Sequence, residues 1–346
     1  MHRRPPACPT AVSGDVRYHA PKTVDEKRPI PMPVILGPTG SGKSELALRI
    51  ARDLQAEVVS CDSVQVYRRF NIGTAKIPES KRGGVPHHLI DIVEPGELFT
   101  AGDYAREAAV VLRQIAGRGS IPVLAGGTGF YLRALLEGLS PGPVRDEAVR
   151  ADLMNREQRR PGSLHRILKR LDATAAKRIH PNDLNKTLRA LEIRLLERRP
   201  SAELFAAGRL ALCGFHPIKI GLTPPRHLLY RSLDERTAAM FEHGLIHEVR
   251  ELIASGVPSN AKPFESLGYK QALQALRGEL NEQQAIESAQ RETRRYAKRQ
   301  LTWFRRETGV HWLAQFGDAP GSAEQALQII NAETKSFESN ISDDVL

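Results

Sequence analysis

Apolar positions in the first 130 residues follow two alternating rhythms. Short, mainly apolar runs at 33–36, 57–61, 89–93 and 121–125 have the length of buried strands. Between them apolar residues recur at helical spacing. Leu46, Ala47, Ile50, Ala51 and Leu54 follow the first run, and Tyr104, Ala108, Val111, Leu112 and Ile115 mark one side of 103–117. Strands alternating with helices predict an α/β fold, a parallel sheet flanked by helices. After Pro141-Gly142-Pro143 the strand signal stops, and residues 146–200 read as charged helices, with Leu184, Leu188, Leu191 and Leu195 as one buried face. A last strand is predicted at Ile218–Leu222, and 228–308 reads as helical with a break near 256–263. The expected organisation is a core over 32–140 and 206–320 with helical C-terminal parts, and an all-helical insertion at 141–205. A tail at 321–346 shows no chemical signal. Residues 1–31, rich in proline and basic residues, are expected to be disordered, and Met32 is an alternative start.

The first strand runs directly into Gly37-Pro38-Thr39-Gly40-Ser41-Gly42-Lys43-Ser44, a complete P-loop in its strand–loop–helix context. Its glycines let backbone N–H groups turn inward around a polyphosphate. Lys43 brings a point charge to the terminal phosphate, and the Ser44 hydroxyl is placed to hold Mg²⁺. Ligands in such sheets lie beyond the carboxyl ends of the strands. The P-loop, Asp62-Ser63-Val64-Gln65 and Gly126-Gly127-Thr128 each follow a strand, so all three are expected in one crevice. A carboxylate at Asp62 serves as a metal ligand, a hydroxyl orienter, a base, or a plain loop cap; the pattern leaves these open. Asp91 stands where a Walker-B carboxylate could, but only Leu89 and Ile90 precede it directly.

Residues 291–306, RETRRYAKRQLTWFRR, set Arg291, Arg295, Lys298, Thr302 and Arg305 on one helical face and Ala297, Leu301 and Phe304 on another. A basic stripe anchored by an apolar face suits tracking a phosphate backbone. Tyr296 and Trp303 are candidates either for stacking on bases or for the core. The whole chain leans the same way, with 50 Lys+Arg against 40 Asp+Glu and a net charge of +10, which favours a polyanionic partner. Cys8, Cys61 and Cys213 are far apart and form no CxxC, so neither a disulfide framework nor a zinc set is expected, and a reducing cytoplasm is. No apolar run reaches the roughly 20 residues of a membrane span, and no self-complementary element points beyond a monomer.

The order GPTGSGKS, SCDSVQVY (60–67), IGTAKI (72–77), HHLIDI (87–92), FTAGDY (99–104), GGTGFYLRALLEGLSP (126–141), IHPND (179–183), LRALE (188–192), ESLGYK (265–270) and AKRQLTWFRR (297–306) resembles the tRNA dimethylallyltransferase, or isopentenyltransferase, family over residues 32–315. The resemblance implies that the P-loop holds the diphosphate of dimethylallyl diphosphate, with Mg²⁺ at Ser44. The acceptor would be N6 of the adenine 3′ to the anticodon in tRNAs reading codons that begin with U. By motif position Asp62 is the base, Thr128 bonds near the reacting centre, and Arg236, from LLYRSLDERTAAM, joins Lys43 in steadying the leaving group. Ser63, Val64 and Gln65 would line the path of a flipped-out base, with Gln65 reading an adenine edge. The anticodon stem-loop would be gripped by Arg150, Lys186 and Arg189 of the insertion and by Arg295, Lys298 and Arg299. Ser232 stands where many members carry arginine, so one phosphate interaction is expected to be missing or replaced by Arg231. The stretch Asn185–Arg189 is also less basic than usual, and the absence of a Cys/His zinc-finger pattern points to a bacterial type.

Two other classes fit parts of the pattern. A small-molecule or nucleoside kinase would use the loop for ATP and Asp62 to activate a hydroxyl, leaving the basic helix and the insertion without a role. A P-loop RNA-binding NTPase would need a better carboxylate than Asp91.

Overall fold

The computed structural model describes residues 29–139, 142–197 and 211–343. Strands β1 (Ile30–Leu36), β2 (Glu57–Cys61), β3 (His87–His88), β4 (Pro122–Gly126), β5 (Phe215–Leu222) and β6 (Val310–Leu313) form one sheet in the order β3-β2-β4-β1-β5-β6. Every pairing is parallel. The fold is therefore α/β, with helices α1 (Lys43–Asp53), α2 (Ala101–Gly117) and α3 (Gly129–Leu136) following the strands of its first half. Ile35, Leu46, Ile50, Val58, Val123 and Ile220 meet in its core.

Proline in a central strand is unfavourable because it lacks a ladder donor. Here the register removes the conflict. Ile30 N–H donates to Gly214 O on the β5 side, so alternation turns the positions of Pro31 and Pro33 toward β4. Pairing with β4 begins only at Val34. Strand β1 thus starts before Met32, within the stretch expected to be disordered; the remainder of that expectation, residues 1–28, lies outside the described residues.

Three further elements differ from the pattern-based reading. The apolar run 89–93 is a loop, because Leu89 (φ +60°) and Asp91 (φ +56°) leave the extended region. Its backbone turns back on 65–66, where Asp91 N–H meets Gln65 O at 3.1 Å and Ile92 N–H meets Val66 O at 2.8 Å. Its hydrophobicity reflects the burial of Leu89 and Val93 under that segment. Strand β6 is an addition that the apolar pattern does not predict. The chemically silent tail forms helix α12 (Ser322–Asp343), which buries Ala323, Ala326 and Ile330 in the main core and stacks Phe337 on His216.

The chain divides into two compact units, one ending at Leu135 and resuming at Leu212, the other spanning Leu136–Ala211. The limits expected at 140/141 and 205/206 fall on or beside residues outside those described. The second unit holds α4 (Glu147–Arg159), α5 (Ser163–Leu171), α6 (Ala173–Arg178) and α7 (Leu184–Glu197). Leu153, Leu164, Leu168, Leu188 and Leu191 fill it, with Leu184 packed alongside. Leu195, in the last turn of α7, faces outward.

In the first unit, β5 leads into α8 (Arg226–Glu242), α9 (Leu245–Ala254), α10 (Tyr269–Leu276) and α11 (Glu282–Phe304). Asn281 and Gln284 form a capping box at the start of α11. Its inner side, Ala285, Ala289, Thr293, Ala297, Gln300 and Phe304, is buried. Among the described residues no helix is long and apolar enough to cross a membrane.

Candidate active site

At the carboxyl end of β1 the chain turns through Gly40 (φ +75°) and Gly42 (φ +82°), left-handed conformations that glycine adopts without steric cost. A Cβ on Gly40 would lie 2.6 Å from Leu233 Cδ2, so α8 closes directly over the loop. Inside the turn Lys43 Nζ donates to Pro38 O at 2.7 Å, and Ser41 Oγ donates to the same carbonyl at 2.9 Å. Burial pushes the Lys43 ammonium down to about 8, helped by Arg236 and opposed by the Asp62 carboxylate. Burial also lowers Arg236, again against the pull of Asp62. Arg236 donates to Thr39 Oγ1 at 2.7 Å, while its buried Nε has no partner. Two desolvated cations therefore both feel the Asp62 carboxylate beside a loop made for phosphates, an arrangement that calls for an anion.

Asp62 follows β2. Its Oδ1 accepts from Val64 N–H at 2.8 Å and Gln65 N–H at 3.2 Å, which fixes the side chain as a loop cap. No hydrogen bond of the described residues uses Oδ2, so one oxygen is anchored and the other remains for chemistry. Thr128 joins the same edge, where Ser63 N–H donates to Thr128 Oγ1 at 3.1 Å. The glycines around Thr128 are there for close approach. A Cβ on Gly126 would lie 2.0 Å from Cys61 O, one on Gly127 2.5 Å from Gln300 Nε2, and one on Gly129 2.3 Å from Trp303. The three strand-end loops thus converge as the motif order predicts, with α8 and α11 completing the crevice.

Several other expected site residues already have partners within the protein. Both ends of the Gln65 amide are engaged: Ser60 Oγ donates to its Oε1 at 3.1 Å, and its Nε2 donates to Thr74 O at 3.1 Å. One lone pair on its oxygen and one hydrogen on its nitrogen remain beyond these two bonds. Asp91 is no Walker-B group; it pairs with Lys76 Nζ at 2.6 Å. Arg150 and Arg189 converge on Glu192, at 3.0 and 2.6 Å, inside the second unit. Glu192 has no exposed side-chain surface. Burial alone would raise its carboxyl, but the two arginines and Asp146 N–H hold it at about 2. Lys186 pairs with Asp183 on the surface. Arg231 pairs with Glu235 in solvent and does not stand in for an arginine at Ser232.

Arg295, Lys298, Arg299, Thr302 and Trp303 of α11, with Arg306 just past its end, line an open groove of about 420 Å³. Arg133 lies over the Trp303 ring at 4.5 Å and Gly129 abuts that ring, so the indole serves as a packing piece. Tyr296 lies under Arg299 and near enough to Asp62 for that charge to push its hydroxyl upward, second to burial.

Several contributors escaped sequence reasoning. Gln300 bridges the P-loop and the glycine loop. Glu248 accepts from Asn71 and Ile72 N–H and from the Tyr269 hydroxyl, and Gly73 N–H donates to that hydroxyl. This network shapes the loop that carries Thr74. Tyr269 and Gln300 were signalled only by membership of the motifs ESLGYK and AKRQLTWFRR, and Glu248 lies in neither.

A parallel sheet with a P-loop, two cations and a carboxylate at its carboxyl edge defines a P-loop enzyme of the α/β class. Residues 65–307 match the family described as IPP transferase, and residues 30–91 match isopentenyl transferase. The chain belongs to the IPP transferase family. It is 59% identical over 298 residues to the tRNA dimethylallyltransferase of Solibacter usitatus, covering 86% of this chain and 97% of that one. It is 51% identical to that of Koribacter versatilis over the same shares. Among solved structures, the tRNA isopentenylpyrophosphate transferase of Bacillus halodurans superposes with a TM-score of 0.66 at 35% identity, covering 90% of this chain and 99% of that one. A eukaryotic dimethylallyltransferase acting on tRNA gives 0.75 at 27% identity, covering 90% and 80%. These relatives favour prenyl transfer over the kinase reading.

Proposed function

We propose that this chain transfers a dimethylallyl group from dimethylallyl diphosphate to N6 of the adenine 3′ to the anticodon, in tRNAs reading codons that begin with U. The observation that carries the reading is the pair Lys43 and Arg236, withdrawn from water at the P-loop with the Asp62 carboxylate acting on both. An exocyclic amine is a weak nucleophile because its lone pair is delocalised into the ring. A carboxylate that takes its proton as the N–C bond forms, and cations that hold the diphosphate as the C–O bond breaks, address both halves of that barrier.

In this reading Asp62 Oδ2 accepts the N6 proton while Oδ1 stays locked to the loop backbone. Thr128 steadies the Asp62–Ser63 edge. Lys43, Arg236 and the loop N–H groups of Gly40 and Gly42–Ser44 receive the charge that builds on the leaving diphosphate. Among the described residues no cluster of three acidic, histidine or cysteine side chains could hold a metal. A hydroxyl at Ser44 with diphosphate oxygens and water instead suits Mg²⁺, which keeps much of its water. When bound, the ion would neutralise diphosphate charge. The target base must leave the anticodon-loop stack to enter the crevice, and the α11 groove supplies cations for the flanking phosphates. We assign the monomer as the working unit, acting on the anticodon stem-loop.

The test supplies unmodified tRNA with dimethylallyl diphosphate or with ATP and weighs the resulting tRNA nucleosides. An isopentenyl adduct on adenosine is expected only with the first, and Asp62→Ala should abolish it while tRNA affinity stays within a few-fold. Phosphate release from ATP with no adduct would reverse the assignment.

A further inference from the structure

Gln300 lies on the buried side of α11, the helix whose outer side carries the basic groove. Its Oε1 accepts from Thr39 N–H at 2.8 Å, and its Nε2 donates to Gly127 O at 2.7 Å. These partners lie 261 and 173 residues away in the chain, one on each side of the crevice. The amide orientation is forced, since a backbone N–H needs an acceptor and a carbonyl needs a donor. Each bond leads on to a working group. Thr39 receives the Arg236 guanidinium on its hydroxyl at 2.7 Å, so its backbone and side chain are both pinned. Gly127 precedes Thr128, and a Cβ placed on it would lie 3.6 Å from Lys43 Nζ.

We infer that Gln300 is a positioning residue for the transfer reaction, holding the P-loop and the glycine loop in register from the inner face of the RNA-facing helix. It touches neither substrate; it acts through Thr39, and thereby Arg236, and through Gly127 and its neighbour Thr128. A side chain with one donor and one acceptor at this reach is required. Methionine fills the volume and bonds to neither loop. Ionised glutamate keeps the acceptor but sets a charged oxygen against Gly127 O. The inference rests on the diphosphate reading above.

The test measures inorganic pyrophosphate and an anticodon stem-loop RNA, each by calorimetry on the full chain. Gln300→Met should weaken pyrophosphate about tenfold, the scale of removing two hydrogen bonds from a desolvated site, and lower kcat, while RNA affinity stays within about twofold. Gln300→Glu should bind pyrophosphate poorly at about pH 8. It should recover toward the parent only as pH falls below the ordinary glutamate value of about 4.3, where a neutral carboxyl can donate to Gly127 O and still accept from Thr39 N–H. Lys43, Asp62, Arg236 and Tyr296 face this site from the P-loop, the β2 edge, α8 and α11, so each comparison is made with the parent at the same pH, and Gln300→Met should show no such recovery. Should the methionine variant fail to fold, the glutamate variant carries the test alone. The parent is the control: if it binds no pyrophosphate, the diphosphate reading falls and this inference with it. If the parent binds, three results overturn the positioning role alone: unchanged pyrophosphate affinity in the variants, a parallel loss of pyrophosphate and RNA binding with a lowered melting temperature, or no recovery of the glutamate variant on acidification.

Discussion

Lys43 is held close to neutrality by its surroundings. Burial and Arg236 lower its pKa to about 8, with Asp62 as the principal restraint. The folded value lies below the ordinary 10.5, so the ammonium loses its proton as pH rises through about 8. Pyrophosphate affinity should therefore fall above that pH. Titrating Lys43→Gln alongside separates the lysine from the ligand, because this variant keeps the pyrophosphate's own titration and should lack the alkaline loss. A parent profile that parallels the variant would contradict the assignment. Residue identity at this site was largely readable in advance, since Gly37–Ser44, Asp62 and Thr128 follow predicted strands. The opposite held for Gln65, Arg150 and Arg189, whose chemistry suggested outward roles. Hydrogen-bonding capacity is a property of the residue, but its use depends on what the fold brings near.

Among the elements, α7 shows how a charged sequence serves internal packing. Its Glu192 is buried against Arg150 and Arg189, and Arg189 also donates to Pro143 O at 2.9 Å. The carboxyl, held at about 2 against an ordinary 4.5, contributes stability that is full above about 4.5 and lost as pH falls toward 2. Glu192→Ala should cost about 3 kcal/mol, because two partly buried guanidiniums lose their partner. Urea unfolding at neutral pH measures this, and the cost should shrink on acidification through the same window. Helix α11 divides its roles by face. Its buried side holds Gln300 for the catalytic loops, and its open side presents cations. Periodicity distinguished those faces but gave no hint that the inner one would hold a catalytic-site bridge.

At the scale of the whole molecule, the net charge of +10 becomes useful only where it is concentrated. The α11 groove does this with Arg295, Lys298, Arg299 and Arg306, although Arg295 already pairs with Glu292 at 2.7 Å. Removing Arg295 and Lys298 together to alanine should weaken tRNA binding. It should also flatten the dependence of log K on log salt by about 0.7 for each single-strand phosphate that is no longer neutralised. An unchanged slope would leave the stripe as solvated surface. The sequence by itself determined the alternation that makes a parallel sheet, the phosphate loop, and the convergence of three strand-end loops. All of these are local patterns whose spatial consequence follows from the geometry of strands and helices. Only the tertiary structure decided that 89–93 loops back, that Ala323, Ala326 and Ile330 of the C-terminal helix join the core, and which polar groups satisfy one another. Those outcomes depend on pairings between segments far apart in the chain, and no local pattern encodes which distant donor will meet a buried acceptor.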